Sequence, residues 1–248
     1  MAEWRDTNMI PKKIHYCWFG GKPLSNDVKR CIASWKKFCP DYEIIEWTEK
    51  NFCIENQNQF VQDAYRDKAW AFVSDYARLK IIYENGGIYL DTDVEVIKNL
   101  DKLLENKAFF GVHQVNHLVN TGLGFGSEKG TSILKELLNL YDEIEFDLSK
   151  KDELLCPELN TPVFKRLGYT YSDCVVKNEY FTIYPEEYFD PISLGDGVEN
   201  ILSDKTFSIH HYSASWTSLR NQMKSKIIRK LGRSNILELK RILKGKTR

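Results

Sequence analysis

The chain lacks the features that would place it in a membrane, in a secretory route or on a metal-thiolate scaffold. No segment approaches about 18 consecutive apolar residues, so no transmembrane helix is expected. The opening Met-Ala-Glu-Trp-Arg-Asp has no apolar stretch of the kind a secretory signal needs. The six cysteines, at 17, 31, 39, 53, 156 and 174, contain no Cys-x-x-Cys pair and no zinc-ligand spacing. Reduced, mostly buried thiols and a cytosolic setting are therefore expected. There is no internal repeat, no low-complexity linker and no net charge.

What is present suits one large α/β domain. The 248 residues are 42% hydrophobic and 13% aromatic, a globular composition with enough apolar material for a sizeable core. The neutral total hides an asymmetry. From Lys224 to Arg248 ten Lys/Arg face a single acid, Glu238, so this tail carries +9 and the rest of the chain −9. Residues 1–9 read as an extension, 10–223 as the domain and 224–248 as a basic tail. Ile227, Ile228, Leu231, Ile236, Leu239 and Leu243 recur in the tail at helical spacing between the bases. That pattern suits attachment to an anionic membrane surface.

Along the body, residues 12–19 read as a first strand ending at Gly20-Gly21. Ser25 is the expected cap of a helix that carries Val28, Ile32 and Trp35 on one face and runs to about Phe38. A strand at 42–47 precedes a polar, Asn/Gln-rich stretch at 51–62. A helix over 69–85 should bury Phe72, Ala77, Leu79, Ile82 and Tyr83. Strands are expected at 88–90, 108–112 and 122–125, and a helix at 131–141. Weaker signals place a short helix near 161–167, a strand near 180–184, turns at Asp190-Pro191 and Gly195-Asp196-Gly197, and a last strand at 207–212. Strands alternating with helices favour a parallel-dominated sheet.

Four motifs carry chemistry. Asn85-Gly-Gly87 stops the long helix and leads through apolar Ile88, Tyr89 and Leu90 to Asp91-Thr-Asp93. Carboxylates at a strand's carboxyl end lie where open α/β sheets bind ligands, and they can hold a hard divalent cation that also takes substrate phosphates. Asp75 and Arg78 share a helix face, crowded by apolar neighbours, and suit a polar ligand better than a surface ion pair. His210 and His211 precede Tyr212-Ser213-Ala214-Ser215-Trp216. Adjacent strand residues point to opposite faces, so at most one histidine should join the metal site. Trp18 can stack on a nucleobase, with Gly20 and Gly21 permitting close backbone approach.

Ile10-Pro-Lys-Lys-Ile-His-Tyr-Cys-Trp-Phe-Gly-Gly21, Ser74-Asp-Tyr-Ala-Arg78, Gly86-Gly-Ile-Tyr-Leu-Asp-Thr-Asp93 and His210-His-Tyr-Ser-Ala-Ser-Trp216 together resemble the sugar-transferase family with the DXD motif, glycosyltransferase family 32. Its members include capsular and O-antigen transferases, yeast mannosyltransferases and, more distantly, clostridial glucosylating toxins. The resemblance covers about residues 10–216. It implies a GT-A fold, a nucleotide-sugar donor with UDP preferred, Mn2+ or Mg2+, and retention of anomeric configuration by front-face substitution, since no carboxylate pair stands out as a double-displacement nucleophile.

Carried over, the resemblance gives Trp18 and Gly20 to the base end of the donor and Asp75 and Arg78 to its sugar. Asp91 would bind hydroxyls and share the metal, Asp93 would ligate it directly, and His210 or His211 would complete the shell, with His210 preferred. Ser215 and Trp216 would lie near the diphosphate, and Asn120 near the acceptor side. The acceptor would be a glycan or lipid-linked saccharide on the inner face of the cell membrane; no nucleic-acid partner is expected. Two rivals remain: a non-catalytic carbohydrate-binding protein, and a haloacid-dehalogenase-like phosphatase. The phosphatase wants Thr or Val four residues after its first aspartate, where this chain has Glu95.

Overall fold

Short apolar strands buried on both faces need helices on both sides, and the chain supplies them in sequence. A computed structural model describes residues 9–193 and 198–213. In chain order the elements are β1 (Lys13–Cys17), α1 (Asn26–Phe38), β2 (Glu43–Trp47), α2 (Gln59–Arg66), α3 (Trp70–Asn85), β3 (Gly87–Tyr89) and β4 (Val94–Val96). There follow β5 (Ala108–Val112), β6 (Val119–Ser127), α4 (Ser132–Glu143), α5 (Cys156–Arg166), β7 (Val176–Lys177), β8 (Thr182–Tyr184) and β9 (Ser208–His210). Seven strands form one sheet in the order β2-β1-β3-β6-β5-β8-β7. Five point the same way, while β6 and β7 run against them. β4 and β9 form a separate antiparallel ribbon.

The two-residue period of the strands divides the apolar side chains between two cores. Tyr89, Phe110 and Phe125 pack with α2, α3, α4 and α5 on one face. Ile88, Leu90, Phe109 and Leu123 pack with Trp35 of α1, Phe189 and Phe207 on the other. α3 is buried nearly all round, through Val73, Tyr76, Ala77, Leu79, Ile81 and Ile82, and takes Asp75 and Arg78 inside with it.

The turn from α3 into β3 is where glycine is required. Gly86 (φ +67°) and Gly87 (φ +108°) lie in the left-handed region, and Gly86 N–H closes the helix on Ile82 O at 2.8 Å. Fully buried His15 ties this turn to the sheet. Its Nδ1 accepts from Trp47 Nε1 (3.0 Å), so Nε2–H donates to Gly86 O (3.0 Å). Burial pushes its pKa down to about 4, which keeps the ring neutral as this pairing demands.

Ser25 caps α1 through Oγ, which accepts from Val28 N–H at 3.3 Å, as the sequence predicts. Elsewhere the structure differs. The strand expected at 88–90 is present as β3, but it is followed by a second one, β4, that the sequence pattern does not separate: Asp91-Thr-Asp93 turns the chain between them, with Val94 N–H donating to Asp91 O (3.0 Å). α2 begins within the stretch at 51–62, capped by Asn58, whose Oδ1 accepts from Val61 N–H (3.2 Å). Its apolar face is only Phe60, Val61 and Ala64, too short to stand out among polar neighbours. α5 starts at Cys156, with Pro157 in its first turn and Pro162 inside it; that interior proline makes its first half read as loop. All six cysteines are free and four are buried. Among the described residues no helix is long and apolar enough to cross a membrane. The expected extension at 1–8, the 195–197 turn, and Ser215, Trp216 and the 224–248 tail lie outside the described residues.

Trp35 couples α1 to the ribbon: its fully buried indole donates Nε1–H to Val94 O at 2.8 Å, next to the Asp-Thr-Asp turn. Trp35→Phe should lower folding stability by roughly 1–3 kcal/mol, the cost of an unmet buried polar group with some lost volume. Urea titration measures this, and an unchanged midpoint would count against the coupling.

Candidate functional site

A cavity of about 480 Å3 opens along the carboxyl edge of the sheet, within the usual range of small-molecule sites. Its floor is set by the ends of three codirectional strands. Trp18 follows β1, Asp91 follows β3 and His113 follows β5, and all three side chains line the cavity. α3 contributes Asp75 and Arg78, β6 contributes Asn120, and the start of α5 contributes Cys156 and Pro157.

Arg78 is only 4% exposed and Asp75 8%. Arg78 Nη2 lies 3.0 Å from Asp75 Oδ1 and donates to Asp91 Oδ1 (3.1 Å) and Oδ2 (3.4 Å). One guanidinium therefore holds two carboxylates. Its plane sits 5.1 Å from the Tyr89 ring, and the Tyr89 hydroxyl donates to Asp91 Oδ1 at 3.1 Å. Burial pushes the Asp75 carboxyl up to about 6, against the pull of Arg78 and with help from Asp91. Burial also raises Asp91, opposed by Arg78 and reinforced by Asp93.

Asp93 behaves in the opposite way. Burial would raise its pKa, but His210 and the Ser213 N–H and hydroxyl together hold it well below the usual carboxylate range. His210 Nε2 lies 3.1 Å from Asp93 Oδ1; Ser213 N–H and Oγ–H donate to Oδ2 at 2.8 and 3.1 Å. The ribbon explains this meeting across the sequence. Register Val94↔His210 places the imidazole beside the residue just before Val94, and His211 N–H donates to Asp93 O at 2.9 Å. Burial by itself would lower the His210 pKa; Asp93, Asp91 and Asp190 outweigh it and raise it.

One ligand atom each from Asp91, Asp93 and His210 falls within 4.8 Å of the others. Two carboxylates and an imidazole are a donor set for Mn2+-like or Mg2+-like cations. Buried His210 Nδ1 has no hydrogen-bond partner among the described residues, and three carboxylates against Arg78 leave negative charge to be met. The residues fit a divalent cation.

Of the two histidines, the fold brings His210 to the aspartates and not His211, whose Nε2 pairs with Glu95 Oε2 at 2.7 Å on the other side of the strand. Gly20 is also reassigned. It does not line the cavity; an added Cβ would meet Trp70 at 2.8 Å, so its missing side chain makes room for an indole. Trp18, Asp75, Arg78, Asp91, Asp93, Asn120 and His210 do converge on one cavity.

Sequence reasoning missed several groups. Tyr89 was read as core, yet its hydroxyl reaches Asp91. Gly122 gives Asp91 its space, since a Cβ there would stand 2.7 Å from Asp91 Oδ2. Cys156 and Thr121 flank Arg78 Nη1 at 3.8 and 3.5 Å. His113, Asp190, Ser193 and Tyr212 gather from distant segments with no local signal.

The fold is of the GT-A type, and comparison with known proteins agrees. Residues 25–110 match the family described as "Glycosyltransferase sugar-binding region containing DXD motif". That region carries the DXD motif through which the chain resembles this family. It is 28% identical over 153 residues to inositol phosphoceramide mannosyltransferase 3 of Schizosaccharomyces pombe, covering 56% of this chain and 39% of that protein. It is 28% identical over 111 residues to Subversion of eukaryotic traffic protein A of Legionella pneumophila, covering 34% of this chain and 17% of that protein. The chain thus spans less than half the length of either relative. The solved PaToxG glycosyltransferase shares the fold, with a TM-score of 0.51 and 22% identity over 65% of this chain and 70% of its own.

Removing Arg78 strands the buried Asp75 carboxylate and the half-buried Asp91. Arg78→Met should cost roughly 3–5 kcal/mol at pH 8. The loss should shrink at pH 5. Burial pushes the Asp75 carboxyl up to about 6 even with Arg78 beside it, and without Arg78 it rises further, so the variant's native state takes up this proton at a higher pH than the wild type's and gains more stability as pH falls from 8 to 5. Urea titrations of both proteins at the two pH values measure it; an equal loss at both would refute the account.

Proposed function

We propose that this protein is a divalent-cation-dependent retaining glycosyltransferase that moves a hexose or N-acetylhexosamine from a nucleotide sugar, preferably UDP-linked, to a glycan acceptor. The observation that carries this reading is the Asp91–Asp93–His210 cluster beside Arg78 and Asp75 in one cavity. A cation held there supplies neutralisation of the charge that develops on a departing diphosphate.

The remaining work falls to the chain's own side chains. Trp18, at the β1 end, offers a stacking face for the base. Asp75, fixed by Arg78, accepts from hydroxyls of the donor sugar. Arg78 keeps Asp91 in place and contributes positive charge in a site where water is scarce. Asn120 stands beside Asp91 at the sugar end. Among the described residues lining the cavity the carboxylates are Asp75, Asp91 and Asp93, and each is engaged by Arg78 or by His210 and Ser213. None is poised as a free nucleophile, which favours front-face departure with retention. The same engagement disfavours the phosphatase alternative, because Arg78 occupies both oxygens of Asp91.

A panel of sugar nucleotides with Mn2+ tests the reading through released nucleoside diphosphate. Asp93→Ala should lower turnover at least about 100-fold. Absence of release from any donor would leave a carbohydrate-binding protein, and full turnover by the variant would overturn the cation assignment.

Residues 10–223 would then be the catalytic domain and 224–248 its attachment to an anionic membrane, bringing a lipid-linked acceptor such as a capsule or O-antigen intermediate within reach. Deleting 224–248 should abolish sedimentation with anionic liposomes while sparing transfer to soluble acceptors; undiminished sedimentation would refute the attachment.

A further inference from the structure

We propose that His113 and Asn116 form the subsite that receives an acceptor sugar hydroxyl, with buried Asp190 and Ser193 as the residues that position His113. The inference rests on the transferase reading above and concerns residues outside the matched region, 25–110.

The first support is topological. Trp18, Asp91 and His113 follow three codirectional strands, and β1 and β5 are separated by β3 and β6. Three strand spacings put the two ends of the cavity floor about 14 Å apart. With the base at Trp18 and the diphosphate at the Asp91–Asp93–His210 cluster, His113 stands beyond the reacting carbon, on the side left for an acceptor. Tyr212 marks that boundary. Its ring lies 4.1 Å from the His210 ring and 5.8 Å from the His113 ring, edge-on to both. It holds this place with φ +47°, in the left-handed region that a bulky residue occupies only under constraint.

The second support is a set of polar groups more elaborate than a loop brace requires. The 113–118 loop already closes on its backbone, His113 N–H donating to Leu118 O and His117 N–H to His113 O, both at 2.9 Å. Asn116 Oδ1 accepts from Leu118 N–H (3.2 Å), so His113 Nδ1–H donates to it (3.0 Å). Nε2 then has Ser193 Oγ at 3.4 Å and Asp190 Oδ2 at 3.9 Å, both too long for a well-formed bond. Asp190 is fully buried. Its Oδ2 accepts from Gln114 N–H (2.9 Å), and its carboxyl also takes a side-chain hydrogen bond from Tyr212, which ties it to the same boundary residue. The ring is thus fixed in orientation and short of a partner, and a hydroxyl, which both donates and accepts, would supply one.

An array of synthetic oligosaccharides tests the subsite, probed with labelled protein in Mn2+ and the nucleoside diphosphate identified by the donor panel. Glycans that retain the wild type should lose roughly tenfold or more in affinity for His113→Phe, which keeps a ring against Tyr212, and several-fold for Asp190→Asn. Equal retention of both variants, or no glycan retained by wild type that binds the nucleotide, would overturn the assignment. So would a parallel loss of nucleotide affinity, which would make His113 a structural part of the donor end. Failure of the wild type to bind any nucleoside diphosphate with Mn2+ would instead strike the transferase reading itself.

Discussion

The Arg78 guanidinium between Asp75 and Asp91 is the interaction on which the cavity depends. Arg78 and Asp75 sit where almost no water reaches them, Asp91 keeps about 25% of its side chain exposed, and the buried charges are tolerable only because they are paired. The arrangement dictates much of its surroundings: Tyr89 gives a hydroxyl to Asp91, Gly122 forgoes a side chain beside it, and Thr121 and Cys156 flank the guanidinium. A site built this way is stiff. The carboxylates that would meet a ligand are oriented before it arrives, which is the condition for electrostatic stabilisation without reorganisation.

The second constraint is a three-residue ribbon. Pairing of β4 with β9 joins residues more than a hundred positions apart, and its register alone decides that His210 and not His211 reaches Asp93. The ribbon is too small to stand by itself. α1 supports it, through Trp35 on Val94 O and Ser34 Oγ accepting from Val96 N–H (3.0 Å), so the metal candidates rest on a helix that supplies none of them.

Much of this was legible in the sequence where local chemistry dictates structure. Ser25 announces α1, Gly86 announces the end of α3, and the i,i+3 spacing of Asp75 and Arg78 predicts their pairing. Alternating strand side chains predicted that the two histidines would part. What stayed hidden depended on distance or on small steric facts. The role of Gly20 could not be read without knowing that Trp70 lies over it, and the His113–Asp190–Ser193–Tyr212 assembly joins segments that carry no shared pattern. α2 was obscured for a different reason: three apolar residues and an asparagine cap give too little periodicity against a polar background.

Asp91 and Asp93, one residue apart, end with opposite electrostatics, and this difference bears on what the pair can do. For Asp91 burial, reinforced by the charge of Asp93, outweighs Arg78, and its proton affinity rises. Asp93 faces an imidazole and two donors from Ser213, so it stays ionised at any physiological pH. Neighbouring acids pushed apart in this way take different tasks. Asp93 is the permanent anion, suited to anchoring a cation. Asp91, tied to Arg78 and Tyr89, has the orientation that the proposed role between cation and sugar hydroxyls requires. The distinction comes from the turn that breaks the strand after Tyr89: a continuous strand would have pointed both carboxylates to one face and into the same environment.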